Sequence, residues 1–331
     1  MPQRVQDGGQ GTTVRPPAAV SDRSKRKKSG NIGDRVFHRL TLLFAVLVLA
    51  MVVLMAFEMY RGSRPSIEKF GWRFLSSTTW DPVQDEFGAL PFIFGTVASS
   101  LLALGMALPL GLGVAVFLSE LAPSWLERPV SFMVELLAAI PSIVYGLWGI
   151  FVLVPWLRLS VEPLLSKTLG FIPLFRGTPY GFGMLAAGII LAIMVLPIIS
   201  SVSRDVLKAI PTSQREAALA LGATRWETTR IVLSDARSGL LGATLLGLGR
   251  AVGETMAVTM VIGNRPTISW SVLDPGYSMA SVIANEFTEA TSTMYTSALV
   301  ELALLLFVVT MLLNGLARLI VWSVTKKYKV A

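Results

Sequence analysis

The chain has 331 residues, 53% of them hydrophobic and only 15% charged, a composition that excludes an ordinary soluble domain and favours a protein of the lipid bilayer. It has no cysteine and a single histidine, His38, which excludes disulfides, thiolate metal sites and histidine clusters. The net charge of +8 does not indicate nucleic-acid binding, because the basic residues lie at the chain ends and in one internal loop, beside apolar runs.

The first element is a polar N-terminal tail, residues 1–31, which is rich in Gly, Pro, Ser, Thr and Gln and ends in the basic run RSKRKKSG. A segment of this composition buries too little apolar surface to order itself, so we expect a disordered basic cytosolic tail. Roughly 35 polar residues precede the first apolar run, which argues against a removable signal peptide. We expect one membrane domain to follow, over residues 32–331.

Six apolar stretches reach the length of about 20 residues that a helix needs to cross a bilayer. They cover residues 36–60, 90–118, 129–156, 183–203, 238–262 and 296–322. An even number of spans places both termini on one side. With cytosolic termini, the cytosolic segments carry 20 Lys and Arg residues and the external segments carry 8, the asymmetry that the positive-inside rule favours. The sequence therefore predicts an all-α protein with six transmembrane helices and both termini in the cytosol.

Three polar residues lie in the third apolar stretch, close to Pro141. Glu135 could line a path through the membrane or pair with a basic group near the cytosolic edge, and the second interpretation is favoured. Ser142 and Tyr145 could hydrogen-bond an anion or satisfy the backbone groups that the proline leaves free, and the second interpretation is again favoured.

The largest predicted cytosolic loop reads RDVLKAIPTSQREAALALGATRWETTRIVLSDAR. Ser213 and Glu216 have the spacing of a helix capping box. Thr224 and Glu227 repeat that spacing, and Gly222 lies between the two pairs, where a helix would end. The loop is therefore predicted to form two short capped helices joined at a glycine.

This loop, residues 204–237, has two interpretations. A compact, charged, preformed helical pair beneath a membrane bundle is suited to docking into a groove of a cytosolic partner, with Trp226 and the apolar residues of AALALGA as its contact surface. In the other interpretation Glu216 and Glu227 only cap helices, and the loop merely connects two spans.

The run GLLGATLLGLGRAVGETMAVTMVIG, residues 239–263, places Arg250 and Glu254 in a stretch of membrane-spanning length. If the run is one helix, Arg250 lies about 17 Å from one end and about 20 Å from the other, near the middle of the hydrocarbon layer. An arginine there costs roughly 2.5–3.5 kcal/mol on a translocon scale, so it must face protein, water or a counter-charge. Glu254 is its i,i+4 neighbour and can neutralise it.

The two charges could form a structural ion pair or a site for a transported anion. In a structural role the pair would fix helix packing, aided by a stripe of small residues at Gly249, Gly253 and Ala257. In a transport role, Arg250 would offer its planar fork of donors to an oxyanion, and Glu254 would hold the guanidinium when no anion is present. We favour the second role, because a transit site must release what it captures.

Four segments resemble one family of membrane proteins. The segment EAALALG, followed by RIVL, and the run GTVASSLLALGMALPLGLGVAVFLSE at residues 95–120 resemble the permease subunits of ABC importers that depend on a binding protein. The runs GLGRAVGETMAVTMVIGN at residues 247–264 and ELLAAIPSIVYGLWG at residues 135–149 resemble the phosphate-importing members of that family.

The resemblance implies the all-α type I permease fold, the bacterial plasma membrane as location, and a role in ATP-driven import of inorganic phosphate. The implied partners are a sister permease subunit, two cytosolic ATPase subunits, an external phosphate-binding protein and membrane lipid; nucleic acid, metals and cofactors are not implied. Arg250 and Glu254 would act in phosphate passage, and residues 204–237, here called the coupling loop, would fit a cleft of the ATPase. The coupling residues would be Glu216, Ala217, Ala218, Gly222 and Trp226.

The sequence carries no nucleotide-binding motif of its own. No Gly-Lys pair occurs, so a Walker A loop is missing, and GLGRAVG lacks the G-x-G-x-x-G spacing. ATP hydrolysis would therefore belong to a partner, and we expect a transport subunit and not an enzyme. Two other functions stay open: a membrane enzyme acting on phosphorylated lipid, for which no nucleophile or metal cluster is visible, and a scaffold that reports phosphate status to a sensor kinase.

Overall fold

The computed structural model describes residues 32–328, so the predicted tail, residues 1–31, lies outside the described residues. The described part is almost wholly helical. Its helices are α1 (Ile32–Phe70), α2 (Arg73–Ser76), α3 (Leu90–Val116), α4 (Ser124–Ala139), α5 (Ser142–Trp148), α6 (Val154–Trp156), α7 (Glu162–Leu169), α8 (Met184–Ala209), α9 (Thr212–Ala220), α10 (Arg225–Gly253), α11 (Met256–Val261), α12 (Met279–Glu286) and α13 (Thr293–Tyr328). Between them lie the π-helical segments Phe117–Leu121, Gly149–Leu153 and Leu157–Val161, the 3-10 turn Pro173–Phe175, and the paired antiparallel strands β1 (Trp80–Asp81) and β2 (Glu86–Phe87).

Six helical segments of the described part are long and apolar enough to cross a membrane. They are Gly33–Phe70, Leu90–Leu121, Ser142–Leu169, Met184–Ala209, Arg225–Gly253 and Thr293–Ser323. The predicted all-α class and the predicted number of spans are confirmed. The first span extends to Phe70 and the fourth to Ala209, beyond their predicted ends at residues 60 and 203. The third and fifth spans are displaced from their predicted limits, and each displacement has a local cause.

The chain divides after Val53 into two compact units. In the first unit, the residues of α1 from Val36 to Val53 carry exposed apolar side chains. A helix that is apolar on all sides is typical of a span in contact with lipid. The second unit begins at Leu54 and contains the other helices.

The core of the second unit forms where α3 packs against α8. In the most apolar 18-residue stretch of α8, 61% is buried inside the protein, the largest share among the six membrane-spanning segments of the described part. Gly188 of α8 admits a leucine of α3, since a β-carbon there would lie 2.6 Å from Cδ2 of Leu102. Small residues at a crossing let two helices approach closely, and this close packing holds helices together in lipid, where the hydrophobic effect is weak.

The third span begins at Ser142, and the prediction that it begins at residue 129 is wrong. α4 ends at Ala139, and Ile140 has an extended backbone with ψ 128°. Pro141 follows, which lacks an N–H group and disfavours the helical conformation in the residue before it. The apolar stretch is therefore cut in two, and α4 buries none of its residues in this structure.

The loop that follows α11 closes over the start of α8. The N–H of Gly183 donates to the carbonyl of Val261 at 3.0 Å, and the N–H of Leu185 donates to the carbonyl of Val272 at 2.7 Å. These bonds satisfy backbone groups that the first turn of a helix leaves unpaired. They also fix the end of α11, whose other end carries the charged site.

Candidate functional site

Arg250 and Glu254 lie where α10 ends, and the predicted single helix over residues 239–263 breaks between them and α11. The last residue of α10 is Gly253, and Glu254 has an extended backbone with φ −73° and ψ 128°. The prediction of one continuous helix is therefore wrong. Glycine is a weak helix former, and an acidic side chain just after it can bond to nearby backbone N–H groups in place of a helical turn.

Glu254 is held in place by the start of α11. Its Oε1 accepts a hydrogen bond from the N–H of Ala257 at 3.4 Å, and only 8% of its side chain is exposed. A carboxylate in this position pairs an N–H group that the beginning of a helix leaves without a partner. The carboxylate is thereby fixed at the helix break, with its second oxygen towards Arg250.

Arg250 is bound more loosely than its partner. Its Nη2 lies 3.9 Å from Oε2 of Glu254, and 44% of its side chain is exposed. The predicted proximity of the two charges is confirmed, but this distance exceeds that of a hydrogen bond. The guanidinium can therefore turn its donors to a ligand without first breaking a strong bond to the carboxylate.

Close packing fixes the position of α11 and of the Glu254 carboxylate that precedes it. Half of the six residues of α11 are buried. A β-carbon at Gly146 of α5 would lie 3.2 Å from Cα of Ala257, so the two backbones meet there. Packed interiors resist displacement, and Glu254 consequently has a fixed place while Arg250 borders open space.

The stripe of small residues expected in a structural role, Gly249, Gly253 and Ala257, does not pack against a single neighbouring helix. A β-carbon at Gly249 would lie 3.7 Å from Oδ1 of Asn314 in α13, whereas one at Gly253 would meet nothing within 4 Å. Ala257 packs against Gly146 of α5. This prediction is wrong because it extended helical geometry across the break after α10.

The proline break in the third apolar stretch is stabilised by a tyrosine. Tyr145 Oη donates to the carbonyl of Leu137 at 2.7 Å. In an unbroken helix that carbonyl would accept from the N–H of residue 141, and Pro141 has none. The interpretation favoured for Tyr145 is confirmed, while Ser142 forms the first residue of α5.

Two ion pairs attach α4 to α8. Arg204 donates to Glu135 at 3.1 Å, which confirms the predicted pairing of Glu135 with a basic group. Lys208 bonds to Glu127, and this hydrogen bond lowers the pKa of the Glu127 carboxyl below its ordinary value. Because both carboxylates are partly exposed, these pairs orient α4 more than they stabilise the fold.

The coupling loop contains α9 and the first turns of α10. The capping box at Thr224 is confirmed: its Oγ1 accepts from the N–H of Glu227 at 3.3 Å, and its own N–H donates to the Glu227 carboxylate at 2.7 Å. The capping box predicted at Ser213 is wrong, because α9 already begins at Thr212 with Pro211 as its N-cap. Gly222 joins the two helices with φ +85°, a backbone conformation that residues other than glycine rarely adopt.

The residues predicted to contact an ATPase are mostly exposed on this loop. Trp226 is 69% exposed, whereas Ala218 is only 7% exposed and faces the bundle. The remaining members of the set, Glu216, Ala217 and Gly222, are exposed as well. The structure thus presents an aromatic side chain and one face of α9 towards the cytosolic side predicted from the charges.

The second helix of the coupling loop and the fifth span are one element. α10 runs for 29 residues from Arg225 to Gly253, so residue 237 is no boundary between a loop and a span. At 1.5 Å per residue, Arg225 and Arg250 lie about 38 Å apart along one axis. Trp226 stands in the first turn of this helix and Arg250 in its last.

Sequence reasoning missed a second arginine and glutamate pair, Arg215 and Glu120. Arg215 Nη2 donates to Glu120 Oε1 at 2.7 Å, and its Nε donates to Oε2 at 3.1 Å. The bonded carboxylate raises the pKa of the Arg215 guanidinium. The sequence signal for this pair was weak. Glu120 is an acidic residue just after the second apolar stretch, and Arg215 is a basic residue directly before Glu216 of EAALALG.

Comparison with known proteins now decides the family. Residues 107–326 match the family described as "Binding-protein-dependent transport system inner membrane component". The chain belongs to this family. Membership makes it a multi-pass inner membrane transport component and not an enzyme, as the sequence predicted.

Within the described residues, no three His, Cys, Asp or Glu side chains are grouped as metal ligands would be.

Several curated relatives match most of the chain. It is 47% identical over 307 residues to the "Phosphate transport system permease protein PstC" of Mesorhizobium japonicum, with 91% of this chain and 94% of that protein covered. It is 47% identical over 293 residues to the protein of the same name from Haemophilus influenzae, with coverages of 87% and 93%. A probable PstC of Methanocaldococcus jannaschii is 36% identical over 281 residues, with coverages of 83% and 89%.

Two solved structures share the fold of the permease. A chain of a bacterial ABC transporter that imports the acidic polysaccharide alginate aligns with a TM-score of 0.52 at 19% identity, over 86% of the permease and 97% of that chain. A chain of the MetNI methionine ABC transporter in an inward-facing conformation aligns with a TM-score of 0.51 at 22% identity, over 70% and 94%. At these identities the likeness establishes the ABC importer permease fold alone.

Proposed function

We propose that the permease is a membrane subunit through which an ABC importer carries inorganic phosphate into the cell, with Arg250 and Glu254 on the path. Relatives that are 47% identical over about nine-tenths of the chain bear the name of phosphate transport permeases. The observation that supports the site is the unequal exposure of the two charges, 44% for Arg250 and 8% for Glu254. An accessible guanidinium beside a fixed carboxylate is suited to brief binding of an oxyanion.

Phosphate binding would proceed by exchange of partners at Arg250. The planar guanidinium donates two parallel hydrogen bonds to an oxyanion, which a point charge such as ammonium cannot do. Glu254 does not follow the guanidinium, because its Oε1 is bonded to the N–H of Ala257. Its negative charge then lies close to the bound phosphate and repels it, so binding stays weak enough for release, as conduction requires.

Energy from ATP would reach this site through α10. The helix carries Trp226 in its first turn and Arg250 in its last, so docking of the coupling loop on an ATPase moves both ends of one rigid element. Closure of the ATPase subunits would thus shift or rotate Arg250 relative to the Glu254 carboxylate, which is bonded to the N–H of Ala257 in α11 although the Glu254 backbone continues directly from α10. The distance between the two charges would change with the access state.

The importer requires further subunits. The permease is part of an ABC transporter complex, and we assign to that complex a sister permease, two cytosolic ATPase subunits that hydrolyse ATP, and an external phosphate-binding protein. Within the chain we assign residues 1–31 to a cytosolic tail and residues 32–331 to the permease domain with its coupling loop at 204–237. Phosphate would pass between the two permeases, past the exposed side of Arg250.

The experiment that tests this function is transport by the complete complex in lipid vesicles. The permease is purified through an affinity tag, its companion proteins are identified, and the complex is reconstituted with external binding protein and internal ATP. Labelled phosphate should accumulate only with ATP present, and labelled sulfate should not accumulate. Accumulation of sulfate without phosphate would reject the substrate, and purification without an ATPase would reject an ABC importer.

A further inference from the structure

Arg215 joins three elements at the cytosolic end of the bundle. The residue lies in α9, one position before Glu216, and its guanidinium binds the carboxylate of Glu120 through two nitrogens at 2.7 and 3.1 Å. Glu120 belongs to the π-helical segment Phe117–Leu121 that ends the second span. Two further bonds, to the carbonyls of Ile210 at 2.7 Å and Leu207 at 2.8 Å, reach the end of α8.

The geometry of this contact is that of a rigid joint. A bidentate arginine and carboxylate pair fixes the relative orientation of both groups as well as their distance. Only 8% of the Glu120 side chain and 19% of the Arg215 side chain are exposed, so water competes little for the bonds. The carbonyls at the C-terminal end of α8 lack helical partners, and a cation there also interacts favourably with the helix dipole.

Other contacts hold α9 only weakly. Ala218 is its one buried residue, and Leu219 and Leu221 next to it are 51% and 89% exposed. A single alanine buries too little apolar surface to fix the orientation of a nine-residue helix. The guanidinium of Arg215 therefore accounts for most of the attachment between α9 and the end of the second span.

Taken with the proposed function, on which it rests, this arrangement assigns a second route of coupling. We propose that Arg215 and Glu120 are positioning residues that transmit the movement of the coupling loop to α3, while α10 transmits the same movement to Arg250. α3 packs along α8 in the core through Leu102 and Gly188. Movement of α9 would then turn the α3 and α8 pair as one body, in step with α10. A π-helical segment at this joint fits the role, since such segments occur often at functional sites.

The first test separates coupling from folding. Arg215→Lys keeps the positive charge but loses the bidentate fork, and Glu120→Gln keeps the shape but loses the charge. Each variant is assembled into the complete complex in vesicles, and phosphate uptake and ATP hydrolysis are measured together. We expect normal amounts of complex, retained ATP hydrolysis, and a ratio of phosphate transported per ATP that falls by about fivefold or more, the lower end of typical coupling between sites.

The matched control is Glu127→Gln. Glu127 also binds a cation, Lys208, but this contact attaches α4 to α8, and among the described residues its hydrogen bond does not reach α9. Its ratio of phosphate to ATP should equal that of the wild-type complex. An equal loss in all three variants would show that disturbing any ion pair at this end of the bundle lowers coupling, and it would overturn the proposal.

The second measurement follows the joint directly and applies even where a variant assembles poorly. The chain has no cysteine, so spin labels can be placed at Leu121→Cys in the π-helical segment and at Gln214→Cys on α9, in a complex whose other subunits lack reactive cysteines. In the wild-type background the distance between the labels should stay the same when the ATPase is trapped with nucleotide. In the Arg215→Lys background it should change or broaden.

The outcomes are distinct for the two proposals. A wild-type complex that transports no phosphate rejects the proposed function and leaves the label distances to decide the joint. A wild-type complex that transports phosphate, together with unchanged transport per ATP and unchanged label distances in Arg215→Lys and Glu120→Gln, rejects the joint alone.

Discussion

The permease contains two arginine and glutamate pairs that differ in almost every physical respect. In the pair of Arg215 and Glu120, both side chains are largely buried and the guanidinium makes two bonds to the carboxylate and two to backbone carbonyls. In the pair of Arg250 and Glu254, the nearest nitrogen and oxygen are 3.9 Å apart and the arginine is half exposed. The same two residue types thus form a joint between α9 and the end of the second span, and an open site at the last turn of α10.

The difference shows how one kind of side chain serves two purposes. A guanidinium that makes four hydrogen bonds, as that of Arg215 does, holds two elements together firmly, because several bonds must break before the elements separate. A guanidinium whose counter-charge is near but not bonded is neutralised enough to lie inside a membrane protein and still accepts another anion.

The largest effect is expected from severing α10 between the coupling loop and Arg250. Proline at position 242 removes a helical N–H and clashes with the preceding turn, at a cost of about 3 kcal/mol or more. Gly242→Pro should abolish phosphate uptake, because the two ends of α10 no longer move as one element, while ATP hydrolysis persists. Uptake and hydrolysis are measured in the same vesicles.

The matched control for that change is Gly242→Ala. A β-carbon at Gly242 meets nothing within 4 Å, and alanine is a better helix former than glycine. Uptake in this variant should equal that of the wild type. Coupled transport in Gly242→Pro would show that α10 does not carry the movement.

The next effect concerns the carboxylate of the open pair. Glu254→Gln keeps an oxygen that accepts from the N–H of Ala257 but removes the charge that opposes phosphate at Arg250. Without that repulsion phosphate should bind more tightly and leave more slowly, so the uptake rate should fall by about tenfold, the equivalent of about 1.4 kcal/mol. Equilibrium binding of labelled phosphate should be tighter to the Glu254→Gln complex than to the wild-type complex. A fall in both uptake and binding would assign Glu254 to structure alone.

A smaller effect is expected at the glycine that joins the two helices of the coupling loop. Gly222 has φ +85° and a β-carbon there would meet nothing within 4 Å, so a substitution acts through backbone conformation and not through a clash. Gly222→Val should cost about 1–2 kcal/mol in that conformation and lower the stimulation of ATP hydrolysis by the loaded binding protein. Gly222→Asn is the control, since asparagine tolerates the left-handed region. Equal stimulation in the Val and Asn variants would count against a defined loop conformation in coupling.

The sequence predicted the number of spans, the capping box at Thr224 and the proximity of Arg250 to Glu254, because composition and charge act locally. The apolar stretches all reach the length of about 20 residues that a bilayer core requires, and Thr224 with Glu227 forms a capping box whose partners are three residues apart. The proximity of Arg250 and Glu254 followed from the same short spacing. Features of this kind need no knowledge of tertiary structure.

Two kinds of feature could not be predicted from hydropathy. The break at Ile140 has a local signal in Pro141, which hydropathy does not register, and the break at Glu254 is stabilised by the bond from the N–H of Ala257 to its carboxylate, which the sequence does not show. The joint between Arg215 and Glu120 links residues 95 positions apart, and neither residue is distinguished by its neighbours in the chain. Both kinds of feature decide how the sites move, and both required the structure.

The most direct test of the account is phosphate uptake by the complete complex carrying Arg250→Lys, with sulfate as the control substrate. Lysine keeps the positive charge near Glu254 but offers no planar fork, so the complex should assemble in normal amounts while phosphate uptake falls by about tenfold or more, the loss of one good charged hydrogen bond of about 1.5–3 kcal/mol. Phosphate uptake equal to that of the wild type would contradict the account and leave Arg250 as a structural partner of Glu254.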